Sequence, residues 1–231
     1  MTARAIEARL RSLADATIAE GHLRFFKCGP GQYGESDAFL GINVPTLRTL
    51  SKEFTPAPVA DLIVLLQSRW HEARLLALMI LVRKYERETE VRDEIYRRYL
   101  ANTPRINNWD LVDASAPNIV GAHLLEGHRA PLYALARSES LWERRIAIVA
   151  TQHFIRHDDF DDTLRIAEIL LDDRHDLIHK ASGWMLREAG KRDRALLERF
   201  LRKHAKRMPR TMLRYAIERF PPKLRAQYMA R

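Results

Sequence analysis

One spacing constrains the fold of this chain more tightly than any other feature. The segments HEARLLALMILV, NNWDLVDASAPNIV, WERRIAIVATQHF and IHKASGWMLREAG superimpose when Glu72, Asn108, Glu143 and His179 are treated as equivalent, so the pattern returns after 36, 35 and 36 residues. PRTMLRYAIERF falls near the next expected position. Within each segment apolar residues recur at helical spacing, and strand-like alternation is scarce along the whole chain. A period of this length belongs to helical-repeat solenoids, in which a helix pair hides its apolar face only by stacking on its neighbours. A compact bundle has no reason to keep so regular a spacing. Breakers stand between the segments at Thr55 to Pro58, Asn102 to Pro104, Gly127 to Ala130 and Arg156 to Asp159. The expectation is an all-α solenoid, read as a single domain over residues 1–231.

The same alignment singles out four side chains. Measured from each anchor, Trp109 stands at +1, Asp113 at +5, Arg145 at +2 and Trp184 at +5. Offsets of three and four residues share a helical face. Equivalent helices lie side by side in a solenoid, so the four residues should form one stripe. Periodicity alone leaves open whether that stripe faces solvent, as a site, or the interior, as core. An Asp and an Arg are seldom buried unless paired. A mutual Asp113 to Arg145 salt bridge in a packed interior therefore stands as the structural alternative to a shared site.

Charge narrows the partners. The chain carries a formal +9, but Lys191 to Arg231 alone holds 14 Lys or Arg against 3 acids, leaving 25 basic against 27 acidic residues before it. A basic end of this kind attracts polyanions, because each phosphate contact releases condensed counterions. A solvated helix face is the other reading of such a stretch. The longest apolar run, LLALMILV, is far short of the roughly 18 residues that span a bilayer. The opening MTARAIEARLRSLADA patterns as an amphipathic helix and lacks a signal peptide's apolar centre. A soluble, cytoplasmic protein is expected, associated with the nucleoid through DNA. The single Cys28 excludes an intrachain disulfide and a cysteine metal cage.

Several motifs are set aside. GPGQYG at Gly29 to Gly34 has the form G-x-G-x-x-G, but it leads into the loop-like ESDAFLGINVP, and Pro30 lacks an amide donor. It is rejected as a dinucleotide site. The pairs His153 with His157 and His175 with His179 have i, i+4 spacing without the HExxH form or a third ligand, and read as solvated or capping histidines. No serine elbow and no P-loop occurs. No metal or other cofactor is expected.

Taken together, NNWDLVD, WERRIAIVA, HKASGWMLREAGKR and FLGINVPTLR resemble the AlkD-type family of DNA alkylation repair glycosylases, from about residue 24 to the C-terminus. The resemblance implies a C-shaped α-solenoid of HEAT-like repeats whose basic concave cleft embraces duplex DNA. It implies excision of N3- and N7-alkylated purines, with Trp109, Asp113, Arg145 and Trp184 on the family's active-site tryptophan, aspartate, arginine and second tryptophan. Lys27 to Ala38 is longer than the corresponding connection of the family.

The chemistry of these residue types is compatible. A cationic alkylpurine is already a good leaving group, so the enzyme must chiefly stabilise an oxocarbenium-like sugar, which a carboxylate at Asp113 does while orienting water. Trp109 and Trp184 offer π faces to a cation, and Arg145 suits a phosphate. Asp110 and Arg144 are expected in ordinary structural pairs. Lys180, Arg187, Arg210 and Arg214 are candidate phosphate contacts, with solvated charge as the alternative. The matched four include no lysine, so a Schiff-base lyase step is not expected. The partner is double-stranded DNA carrying alkylated bases, met by a monomer. A binder of flexed or branched DNA without chemistry, and a protein-binding solenoid, are the competing functions.

Overall fold

A computed structural model describes residues 1–35 and 37–230. Their regular structure is helical; the only β-type pairing among them is an isolated bridge between Ala38 and Trp70. The chain divides into two compact units, Met1–Ser115 and Ala116–Arg231. The architecture is that of an α-solenoid of HEAT-like helix pairs. No helix among the described residues is long and apolar enough to cross a membrane.

The first unit contains α1 (Ala3–Arg11), α2 (Ala16–Phe25), α3 (Val44–Glu53), α4 (Val59–Leu66), α5 (His71–Arg87), α6 (Arg92–Ala101) and the start of α7 (Trp109–Ala116). As its sequence anticipates, α1 is amphipathic, burying Ala3, Ile6 and Leu10. The centre is α5, buried nearly all round by α3, α4 and α6, which explains why HEARLLALMILV shows little polar face. The second unit contains α8 (Ala122–Leu124), α9 (Ala130–Ala136), α10 (Leu141–Arg156), α11 (Asp161–Ile169), α12 (Asp176–Arg192), α13 (Arg194–His204), α14 (Arg210–Ala216) and α15 (Pro222–Met229). There α12 packs between α10 and α14. The breakers fall at junctions between α-helices, although Ala130 already opens α9, Arg156 still closes α10, and Thr103 and Pro104 belong to a short 3-10 turn.

The repeat has a physical signature at the helix starts. Two residues before the caps of α5, α10 and α12 stand Ser68, Ser138 and Asp173. Their side chains accept the cap N–H of Trp70, Ser140 and His175 at 3.2, 3.0 and 2.8 Å. The fourth helical residue, Arg74, Arg144 or His179, then donates back to the carbonyl oxygen of that same Ser68, Ser138 or Asp173. This clamp satisfies backbone groups that a helix start would otherwise orphan.

The clamp also corrects the anchors chosen from apolar pattern. Glu72 is the second residue of α5, Asn108 precedes α7, Glu143 is the third residue of α10 and His179 the fourth of α12. They are not equivalent positions. Without a clamp residue, α7 starts late, where Asn108 Oδ1 accepts the N–H of Trp109 at 2.8 Å.

Two helix contacts in the second unit depend on glycine. A Cβ on Gly183 of α12 would lie 2.4 Å from the Met212 carbonyl oxygen and 2.6 Å from Tyr215 Cβ, and one on Gly121 would lie 2.2 Å from the Ala150 carbonyl oxygen. Backbone oxygens in packed helices cannot retreat cheaply. Gly183→Ala is expected to destabilise the protein by about 1–3 kcal/mol, read as a lower chemical-denaturation midpoint with an unchanged slope.

Candidate active-site residues

Trp109 and Asp113 are the first and fifth residues of α7, one turn apart on one face, and both are half-buried. The indole lies on an aromatic cluster: stacked with Phe26 (centroids 5.5 Å apart, 24°) and edge-on to Phe25 (5.8 Å). Phe26 in turn stacks on Phe39 at 5.1 Å. Phe25 is 62% exposed, which is unusual for a phenylalanine and opens the cluster to solvent. Trp109, Phe25, Phe26, His22, His71 and Asp110 share a cleft of about 370 Å³ with apolar residues of α3. Behind α7, Tyr99 is fully buried and its hydroxyl meets Ser115 Oγ at 3.0 Å. Burial, reinforced by the charge of Asp113, pushes the Tyr99 phenol well above its ordinary range.

The start of α7 is tied to a buried polar network. Asp37 binds Arg74 through one carboxylate oxygen, and through the other accepts from Asn108 Nδ2 (2.8 Å) and His71 Nδ1 (3.1 Å). The other ring nitrogen of His71 meets Asp110 Oδ2 at 2.7 Å. Burial disfavours a charged imidazole, but Asp110 and Asp37 outweigh it and raise His71 to about 9, so it is an imidazolium donating both N–H groups. Next to it, the Glu72 carboxylate accepts the N–H groups of Leu40 (2.9 Å), Gly41 (2.8 Å) and Ile42 (3.2 Å). That arrangement is the structural reason for the sequence FLGIN: the backbone wraps one buried acid, and Gly41 takes a φ of 82° to do so.

In the second unit, Arg145 is the fifth residue of α10, Lys180, Trp184 and Arg187 are the fifth, ninth and twelfth of α12, and Arg210 and Arg214 are the first and fifth of α14. Positions 1, 5, 9 and 12 share a helical face. Within single helices, Trp109 and Asp113 of α7 are four residues apart, as are Lys180 and Trp184 of α12; because α7 starts late, its positions do not correspond to those counted from the starts of α10 and α12. Arg145 is buried, and its Nη1 donates to the Leu177 carbonyl at 2.6 Å. Trp184 is half-buried. Lys180 pairs with Asp176 at 2.7 Å, which holds that carboxyl below its ordinary range.

The four phosphate candidates differ in how free they are. Arg187 is held between Glu188 (3.2 Å) and Glu218, so its charge is largely spent within the protein. Arg210 is exposed and makes one bond to the Met229 carbonyl, while Arg214 is exposed with no ion pair among the described residues. Elsewhere in the basic end, Arg192 pairs with Asp158, Lys203 with Glu168 and Arg207 with Asp172.

The flanking and set-aside residues behave as ordinary structure. Asp110 pairs with His71, and Arg144 with Asp173 at 2.6 Å. His175 caps α12 and His179 completes its clamp. The rings of His153 and His157 are 4.8 Å apart; burial, with His157 and Arg156 adding to it, lowers His153 to about 4. Among the described residues no group of three or more His, Cys, Asp or Glu could hold a metal ion. GPGQYG is a turn-rich loop between α2 and α3. Within the Lys27 to Ala38 segment, Ser36 lies outside the described residues. Pattern reading missed the supports, Asp37, His71 and Asn108. The available signal was a histidine and a glutamate opening an otherwise apolar helix at HEARLLALMILV.

The sequence profile of a family described as DNA alkylation repair enzyme matches residues 6–220. Among solved structures, a predicted DNA alkylation repair enzyme from Enterococcus faecalis is similar with a TM-score of 0.71 and 19% identity, over 90% of this chain and 97% of that one. That likeness shows the fold. No curated protein matches the chain.

Proposed function

Because the chain belongs to the DNA alkylation repair enzyme family, we propose that it hydrolyses the N-glycosidic bond of N3- and N7-alkylated purines in duplex DNA, leaving an abasic site. The two units are proposed to work as one DNA-binding domain. The observation that supports this most is α7, where a half-buried indole and a carboxylate stand one turn apart. Alkylation at N3 or N7 puts positive charge on the purine, so the base departs without an acid to protonate it. The rate then depends on stabilising the cationic sugar and placing a water. Asp113 supplies the negative charge. Trp109 and Trp184 supply π faces worth about 0.5–2 kcal/mol each to a cation, depending on desolvation. Arg145, held by the Leu177 carbonyl, is assigned to a backbone phosphate of the damaged strand.

The test is incubation with duplex carrying N7-methylguanine. Free base and an unbroken strand with an abasic site are expected. Folded protein that binds the duplex and releases no base would overturn the reading.

Arg210 and Arg214 are assigned to the DNA backbone. Arg210→Ala and Arg214→Ala should weaken damaged and undamaged duplex alike, each lowering the slope of log affinity against log salt by about 1. Binding titrations across a salt series check this, and an unchanged slope would remove these residues from the interface.

A further inference from the structure

The first turn of α7 is held from two directions by one buried side chain. Through Nε2, His71 grips Asp110, the residue that follows Trp109; through Nδ1 it joins Asp37, which also holds Asn108, the residue that precedes Trp109. The His71 ring also lies 4.8 Å from Phe26 and 4.7 Å from Phe39, and Phe26 is the ring on which the Trp109 indole rests. Backbone and indole are therefore both referred to His71, which is itself only 2% exposed. An isolated charge is costly at such a site, and this one is retained with a carboxylate on each side.

We propose that His71 is a positioning residue: clamped between Asp37 and Asp110, it sets the pose of Trp109 and the first turn of α7. Its effect on rate rests on the glycosylase reading; its effect on Trp109 does not. Base release depends on near-attack geometry, where an error of about 1 Å can cost on the order of a hundredfold. The charged groups facing His71 are few. Asp110 comes from α7 and Asp37 from the segment before α3; Arg74 and the Cys28 thiol, itself pushed up to about 11 by burial and by Asp37, act through Asp37. Glu72 and His22 line the same cleft. With His71 near 9, the clamp is intact at neutral pH and opens as pH rises through that value, when one N–H is lost and an imidazole lone pair faces a carboxylate.

The experiment uses the full chain with 5-fluorotryptophan, its Trp109 resonance assigned by Trp109→Phe. In the unsubstituted sequence the Trp109 fluorine signal should shift with a midpoint near pH 9. In His71→Gln the signal should be displaced at pH 7 and lose that titration, while Trp142 and Trp184 stay in place. Single-turnover release of N7-methylguanine should fall about tenfold to a hundredfold in His71→Gln and Asp110→Ala, and less in Asp110→Asn, which keeps an acceptor. The Asp110 pair keeps the test open if His71→Gln does not fold. A Trp109 signal indifferent to pH and to these substitutions would overturn the proposal. Absent base release from the unsubstituted protein would instead sink the glycosylase reading and leave the fluorine result to decide the positioning.

Discussion

Asp113→Asn is expected to lower single-turnover release of N7-methylguanine by about 10²–10³ while leaving affinity for duplex DNA essentially intact. The amide keeps the size and planar shape of the carboxylate, removes its charge and replaces one acceptor oxygen with an NH2 donor. Asp113 is half-buried on α7, with its field felt by the buried Tyr99 hydroxyl, so part of that charge acts through low-dielectric surroundings. A negative charge in such a place is worth most when a positive one develops on the sugar. The competing role, recognition of flexed or branched DNA without chemistry, predicts that the same substitution changes little. Rate and affinity measured on one preparation separate the two.

Asp37→Ala is expected to be the most damaging single change to stability, at about 3–5 kcal/mol, because it leaves the buried Arg74 and His71 without their shared partner. Asn108, which precedes α7, loses its acceptor as well. An exposed pair such as Arg192 with Asp158 should show no comparable loss when its acid is removed. The pH dependence has two limbs of opposite sign. Burial works against the charged form of Asp37, but bonds from His71 and Arg74 outweigh it and hold the carboxyl below its ordinary range. That contribution is present above an unfolded value of about 3.9 and is lost as pH falls through the lowered folded value. His71 is raised, so its contribution is complete below an unfolded value of about 6.5 and is lost as pH rises through about 9. Denaturant midpoints from pH 3 to 10 check both limbs; in Asp37→Ala the acid limb should flatten.

The helical class and the repeat were legible because burying one face of stacked helices forces apolar residues into a period, and a period survives in one dimension. The exact registration was less legible. It depends on caps, and Ser68, Ser138 and Asp173 look unremarkable in sequence although they start three equivalent helices. Hence Glu72, Asn108, Glu143 and His179 were aligned by their apolar surroundings and differ in helical position. Asp110 and Arg144 do form the structural pairs expected of them, with His71 and Asp173, although Asp110 lines the same cleft as Trp109. The Asp37 network was not legible at all. Its bonds join His71 to residues 34 and 39 positions away, and nothing local in ESDAF marks Asp37 as a buried acid. Charge counting likewise could not tell Arg187, spent on Glu188 and Glu218, from Arg214, which is exposed.

The claim on which the account turns is that the positive charge of the damaged base replaces an acid catalyst, leaving the protein only the sugar cation and the water to manage. It is tested most directly by single-turnover base release from two duplexes that differ at one position, cationic N7-methylguanine in one and neutral hypoxanthine in the other, at equal protein saturation. Release of the cationic base alone is predicted. Comparable release of hypoxanthine would require a proton donor that the account does not contain, and would contradict it.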